Sequence, residues 1–306
     1  MGRIRHKSAF LMLAAVAAGL ALAQKADFSV STKLVRLLVS VKDDRGDLIG
    51  TLEKANFKVQ DSGVSQDIAV FEHHTELPLS ISLLIDTSGS TAKDLRYEVE
   101  SLQKFLRALL KEGNPQDAAS IYSFNDQVTL LTSFTRREQR LLDSLARLRA
   151  TSGTSMYDAI YLASRELEDR EGRHVMIVVT DGGDTTSNQK FQQARKAAQF
   201  AEATIYPILV TPITNEPGRN LGGERALSTL ATDTGGRVFE PAVSTQLDRI
   251  FTEILRDLRS QYLIGYYPHN LPPDVPEFHL LKVEVNRPGL RVSTRSGYYG
   301  DTTAPR

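Results

Sequence analysis

The stretch from Leu79 to Ser90, LSISLLIDTSGS, constrains the fold of this 306-residue chain more than any other. Leu79, Ile81, Leu83, Leu84 and Ile85 make a short, almost wholly apolar run, the mark of a strand buried on both faces. The run stops abruptly at one carboxylate and two hydroxyls on alternate residues: Asp86, Ser88 and Ser90. Thr87, Ser88 and Gly89 are small enough for a tight turn, and a helical pattern follows. In open sheets built of such strands, ligands gather in the crevice at the carboxyl ends. Three hard oxygens in that position suit Mg2+, Mn2+ or Ca2+ and not zinc or copper. The alternative role for Asp86 is to cap the helix that follows, since Asp, Ser and Thr are preferred there.

The middle of the chain alternates two periodicities. Apolar residues recur with the 3.6-residue period of core-facing helices at Leu95, Val99, Leu102, Leu106 and Leu109, and again at Leu141, Leu145 and Leu148. The same period returns at Ile160, Ala163 and Leu167, at Phe191, Ala194, Ala198 and Ala201, and from Leu247 to Leu258. Between them lie strand-like runs at 119–124, 128–131, 175–180, 205–210 and 237–239, the first two forming a hairpin around Asn125-Asp126. Strands alternating with helices imply right-handed crossovers and a doubly wound, mainly parallel α/β sheet covered on both sides.

A metal at Asp86 needs oxygens from elsewhere. A Ser-Gly-Thr loop at 152–154 runs into a helix, and the buried run VMIVVTDGGD at 175–184 ends in a second carboxylate, Asp181. DTSGS, SGT and TDGGD, in that order, resemble the von Willebrand factor A domain over residues 78–259. The resemblance implies a metal-ion-dependent adhesion site with Asp86, Ser88, Ser90, Thr154 and Asp181 as direct or water-mediated ligands of Mg2+ (or Mn2+ or Ca2+). It further implies that an acidic side chain of a partner protein completes the coordination. Asp126, Asp158 and Asp184 are nearby polar residues, expected to support the ligands or to be solvated.

The flanks read differently. From Lys33 to His73, Val35, Leu37, Val39 and Val41 alternate with other residues, and pairs at Phe57/Val59 and Ile68/Val70 mark further strands around the turn Asp61-Ser62-Gly63. After residue 260, strands are expected at 262–267, 278–285 and 290–294, the first two separated by a segment with four prolines, 268–276. Three or four strands seldom hold a sheet alone. The N-terminal β module (24–77) and the C-terminal strands (260–306) are therefore expected to pair into one small β-sandwich, with the α/β domain inserted between its halves. This layout, with its Gly297-Tyr298-Tyr299 ending, resembles the secreted VWFA-related family described from Acidobacteria.

Residues 1–23 have the form of a signal peptide: Arg3, Arg5 and Lys7 precede an apolar stretch from Ala9 to Ala23 that ends in Ala-Leu-Ala. An uncleaved anchor is the alternative, although about 20 apolar residues are needed to span a bilayer. With no cysteine, the chain has neither disulfides nor thiolate metal sites. A periplasmic or extracellular location follows from these readings. The 37 basic and 37 acidic residues balance, and nothing clusters as nucleic-acid binding requires. The six histidines form no HExxH pattern, and no G-x-S-x-G elbow or Walker A loop occurs.

The expected function is thus a non-enzymatic, adhesion-type protein-binding module whose divalent cation bridges to a partner's Asp or Glu. A structural or envelope-assembly protein with a fold-stabilising metal is the second reading. A hydrolase using Asp86 and Asp181 is the third, and it leaves Ser88, Ser90 and Thr154 unexplained. Three smaller features complete the inventory. Arg45-Gly46-Asp47 spells an adhesion tripeptide within what is also ordinary turn chemistry. His73-His74 is placed on an inter-domain linker, and the polar loop 211–224 borders the crevice or merely connects.

Overall fold

A computed structural model describes residues 33–73, 76–91, 95–210, 220–271 and 277–300. The expected signal peptide, His74 and the loop 211–219 lie outside them. Among the described residues no helix is long and apolar enough to cross a membrane.

The centre is a five-stranded sheet of β5 (Leu79–Asp86), β6 (Ala118–Phe124), β7 (Val128–Thr135), β8 (Arg173–Thr180) and β9 (Thr204–Leu209). Their order is β7-β6-β5-β8-β9, parallel throughout except for β7, which folds back on β6 as the expected hairpin. All eight residues of β5 are buried, because alternate side chains serve two cores. Ile81, Leu83 and Ile85 meet α1 (Leu95–Glu112), α2 (Glu138–Leu145) and α6 (Leu247–Arg259) on one face. Leu84 meets α3 (Met156–Glu168), α4 (Phe191–Phe200) and α5 (Leu221–Thr234) on the other. The central domain is the doubly wound α/β sheet that the periodicity predicts.

The expected strand at 237–239 is not formed. Phe239 makes only an isolated bridge to Ile208, donating to the carbonyl of Pro207 and accepting from Leu209 N. Pro241, two residues on, has no N–H with which to extend the ladder.

The remaining strands form two antiparallel sheets. One runs β12 (Leu290–Ser293), β1 (Val35–Asp43), β10 (Tyr262–Tyr266), β4 (Ile68–Glu72); the other runs β13 (Gly297–Tyr299), β11 (Phe278–Val285), β2 (Phe57–Asp61), β3 (Val64–Gln66). The early strands pair with the late ones, β1 with both β10 and β12 and β2 with β11. Leu37, Val39, Phe57, Val59, Tyr262 and Ile264 fill the space between the sheets. Asp61-Ser62-Gly63 makes the predicted turn: Ser62 and Gly63 take φ of 49° and 84° between paired β2 and β3, the double left-handed geometry of a tight hairpin.

Candidate functional site

β5 and β8 lie side by side and end at one edge, so Asp86 and Thr180 are neighbours although 94 residues apart. Thr180 Oγ1 donates to Asp86 Oδ2 at 2.6 Å. Ser88 N donates to Asp86 Oδ1 at 2.8 Å, curling the loop back over its own carboxylate. Thr91 Oγ1 closes the turn by donating to the carbonyls of Asp86 and Ser88. The Ser88 and Ser90 hydroxyls then stand 3.1 Å apart. Asp86 is fully buried, Ser88 nearly so, and Ser90 is exposed.

A second loop is laid against the first. Ser88 forms a parallel bridge with Thr151, whose N–H donates to the Thr87 carbonyl at 2.8 Å. Gly153 has φ +81° and presses on Asp126, which a Cβ would meet at 2.8 Å. That close approach shapes the loop that delivers Thr154. The Thr154 N–H donates to Thr185 Oγ1 at 3.0 Å, and the N–H groups of Thr185 and Thr186 donate to the Thr154 carbonyl.

The third loop follows β8. Gly183 N donates to Asp181 Oδ1 at 3.1 Å. A Cβ placed on Gly183 would lie 3.3 Å from Asp181 Oδ1 and 3.8 Å from Thr154 Oγ1, so these two oxygens border the same small space. Asp86, Ser88, Ser90, Thr154 and Asp181 thus come from three loops at one sheet edge.

The electrostatics of this edge are unbalanced. Burial pushes the Asp86 carboxyl above its ordinary range, the hydrogen bonds from Thr180 and Ser88 hold it back, and the Asp181 charge pushes it further up. Among the described residues no basic side chain is ion-paired with Asp86 or Asp181, and no three His, Asp or Glu side chains gather into a metal cluster. The donors are instead two carboxylates and three neutral hydroxyls. That set fits a hard cation such as Mg2+, which commonly uses one or two carboxylates and retains waters. It does not fit zinc or copper, which favour nitrogen or sulfur ligands.

The other acids serve the loops. Asp184 Oδ1 accepts from Tyr157 N and Ser187 Oγ at the start of α3. Asp158 accepts from the backbone of Asn188 and Gln189. Thr180 and Thr185, which hold Asp86 and Thr154, escape the sequence reading; a hydroxyl immediately before the strand-end Asp181 was the available signal. Arg45-Gly46-Asp47 is a turn, its ends tied by N–H donation from Arg45 and Asp47 to Asp43 Oδ1. His73 packs edge-on against Phe71 of the sandwich. Residues 220–224 start α5, where Asn220 Oδ1 accepts from Gly223 N.

Residues 81–184 match the family model of the von Willebrand factor type A domain. No curated protein matches the chain. Among solved structures, the chain is similar to the conserved hypothetical protein BatB from Bacteroides thetaiotaomicron: 19% identity, 60% of this chain, 100% of that one, TM-score 0.47. It is similar to the vWF domain of the type V pili tip protein Mfa5 from Porphyromonas gingivalis at 14% identity, covering 66% and 100%, TM-score 0.48. For the PilB minor pilin from Streptococcus sanguinis the figures are 11%, 60% and 62%, TM-score 0.48. These likenesses are too distant to carry an argument. The family match coincides with the segment that runs from β5 through the three loops and β8: residues 81–184 are similar to a von Willebrand factor type A domain.

Proposed function

We propose that this protein is an exported interaction module without catalytic activity. It binds a partner protein through a divalent cation, Mg2+ first among candidates, held by Asp86, Ser88, Ser90, Thr154 and Asp181. The observation that carries the reading is the buried Asp86 carboxylate beside that of Asp181, with no basic side chain among the described residues to offset either. Like charges at adjacent strand ends are costly unless a cation stands with them. The ion, when bound, supplies a positive, oxygen-seeking contact that an Asp or Glu side chain of the partner satisfies. The chain's own residues make the contact selective. Thr180 and the Ser88 backbone fix Asp86, Thr185 fixes Thr154, and the neutral hydroxyls add donors without adding negative charge. Export rests on the basic head and apolar run of residues 1–23.

Calorimetric titration with MgCl2 tests the site. Saturable binding is expected in the wild type, and binding at least about tenfold weaker in Asp86→Ala, a loss of roughly 1.4 kcal/mol, with an unchanged circular dichroism spectrum. Equal binding by the two proteins defeats the assignment. Capture of partners from envelope extract, in Mg2+ against chelator, tests the bridge; identical recovery in both would leave the metal a purely structural role.

A further inference from the structure

The opposite end of the same sheet carries a second feature. Arg173 and His174 open β8 and Thr204 opens β9, at the amino ends of the strands, and here the α/β layer meets β1 and β10 of the sandwich over a cleft.

Most charges lining this cleft are matched. Arg295 pairs with Glu202 at 3.1 Å, and Asp233 pairs with Arg195 at 2.6 Å. The Arg173 guanidinium donates to the carbonyls of Leu77 and Leu258. Both ring nitrogens of His174 stand against backbone carbonyls, Ala201 at 2.5 Å and Arg170 at 2.9 Å, so the ring offers the cleft no acceptor.

Arg36 is the exception. It lies on β1 at the rim of the cleft, exposed, and no acidic side chain among the described residues pairs with it. Two further donors in the lining are unspent: Nε2 of Gln199, a residue only 6% exposed, and Nε of Arg295 are buried without hydrogen-bond partners. Unpartnered buried donors are uncommon, because each forfeits its hydration. The lining holds three arginines, Arg36, Arg173 and Arg295, against two acids, Glu202 and Asp233, so the excess formal charge is positive.

The walls are apolar, built by Leu38, Leu77 and Leu263. A low-dielectric wall strengthens the pull of a neighbouring guanidinium on an anion. The cleft offers about 40 Å3 to water-sized occupants, room for roughly three waters or one small oxyanion.

We propose that this cleft binds a small free oxyanion, a carboxylate or a phosphate, with Arg36 supplying the charge that meets it. The anion sits where the two layers of the molecule touch, so its binding stabilises the folded chain by mass action. This site is independent of the cation site, which lies at the carboxyl ends of the strands.

Thermal unfolding of the full chain tests it, in sodium phosphate, sodium acetate and sodium chloride at matched ionic strength. The proteins compared are wild type, Arg36→Ala and Arg140→Ala, the last an exposed arginine of α2 that does not line the cleft. Expected is a saturable rise in midpoint with phosphate or acetate, beyond that with chloride, in wild type and Arg140→Ala. The apparent affinity in Arg36→Ala should be about tenfold weaker, the loss expected for one charge-assisted contact. The larger response identifies phosphate or carboxylate as the preferred class. A response no greater than chloride's, or an equal response in Arg36→Ala, overturns the proposal. A crystal soaked in selenate adds a second readout: an anomalous peak within reach of Arg36 and Arg295 supports the site, and a peak found only elsewhere refutes it.

Discussion

Two carboxylates among the described residues are completely buried, and their surroundings are opposite. Asp61, at the end of β2 in the sandwich, is ringed by donors. Its Oδ2 accepts from the hydroxyls of Tyr266 at 2.8 Å and Tyr298 at 2.7 Å. Its Oδ1 accepts from Ser62 Oγ and lies 3.1 Å from His279 Nδ1. Burial above all pushes both phenols up, with Asp61 adding to it, so they remain donors at any physiological pH. Asp86, in the α/β domain, receives two hydrogen bonds and faces a second carboxylate. The first acid is satisfied from within the chain and joins β2, β10, β11 and β13. The second is left wanting a positive charge that the described residues do not supply. A buried acid with a full donor shell holds a fold together, whereas one set beside another acid calls for something from outside.

The contrast can be broken by mutation, beginning where the effect is largest. Asp61→Ala strands two phenols and an imidazole in the core, and it should cost about 3–5 kcal/mol, the range for breaking a buried polar cluster by removing one member. Urea denaturation measures this, and a loss under about 1 kcal/mol would mean that Asp61 is not the joint described.

Asp86→Asn should act in the opposite direction in metal-free protein. The folded-state pKa of Asp86 is raised above 3.8, so its contribution to stability is present below that value and is lost as pH rises through the raised pKa. The unfolding free energy of the variant, relative to wild type, should therefore climb as pH rises from about 4. A flat difference across that window would remove the like-charge argument.

The smallest expected change is that of Ser90→Ala. Among the described residues its exposed hydroxyl bonds only to Ser88, so stability should move by less than about 0.5 kcal/mol while Mg2+ affinity falls. A large stability loss with unaltered Mg2+ binding would make Ser90 a structural residue.

The layout of the chain was legible where a repeat of two or 3.6 residues was decisive. The almost wholly apolar β5, five of the six helices on the two faces of its sheet and the hairpin at Asn125-Asp126 follow from such patterns; α5, in a stretch read as a polar loop and its continuation, does not. The same was true of the residues at the sheet edge, because their small side chains interrupt apolar runs abruptly. The partners of a buried acid were not legible. Tyr266, His279 and Tyr298 lie 205, 218 and 237 residues from Asp61, and periodicity assigns a side chain to a face without saying what crosses to it from another strand. Thr180 was overlooked for the same reason, being 94 residues from Asp86. The bridge at Phe239 shows the converse error: the triplet Arg237-Val238-Phe239 reads as a strand, but Pro241 and a single point of contact keep it from becoming one.

The position of β1 between β10 and β12 has a consequence for the order in which the chain acquires its structure. A ribosome releases β1 more than two hundred residues before either neighbour, so Val35, Leu37 and Val39 must wait unpaired while the central domain collapses on its shorter-range contacts. Maturation is thus gated by the synthesis of β10 and β12. A nascent polypeptide halted before residue 262 should hold a native-like middle and a single protease-sensitive arm, the N-terminal strands β1 to β4.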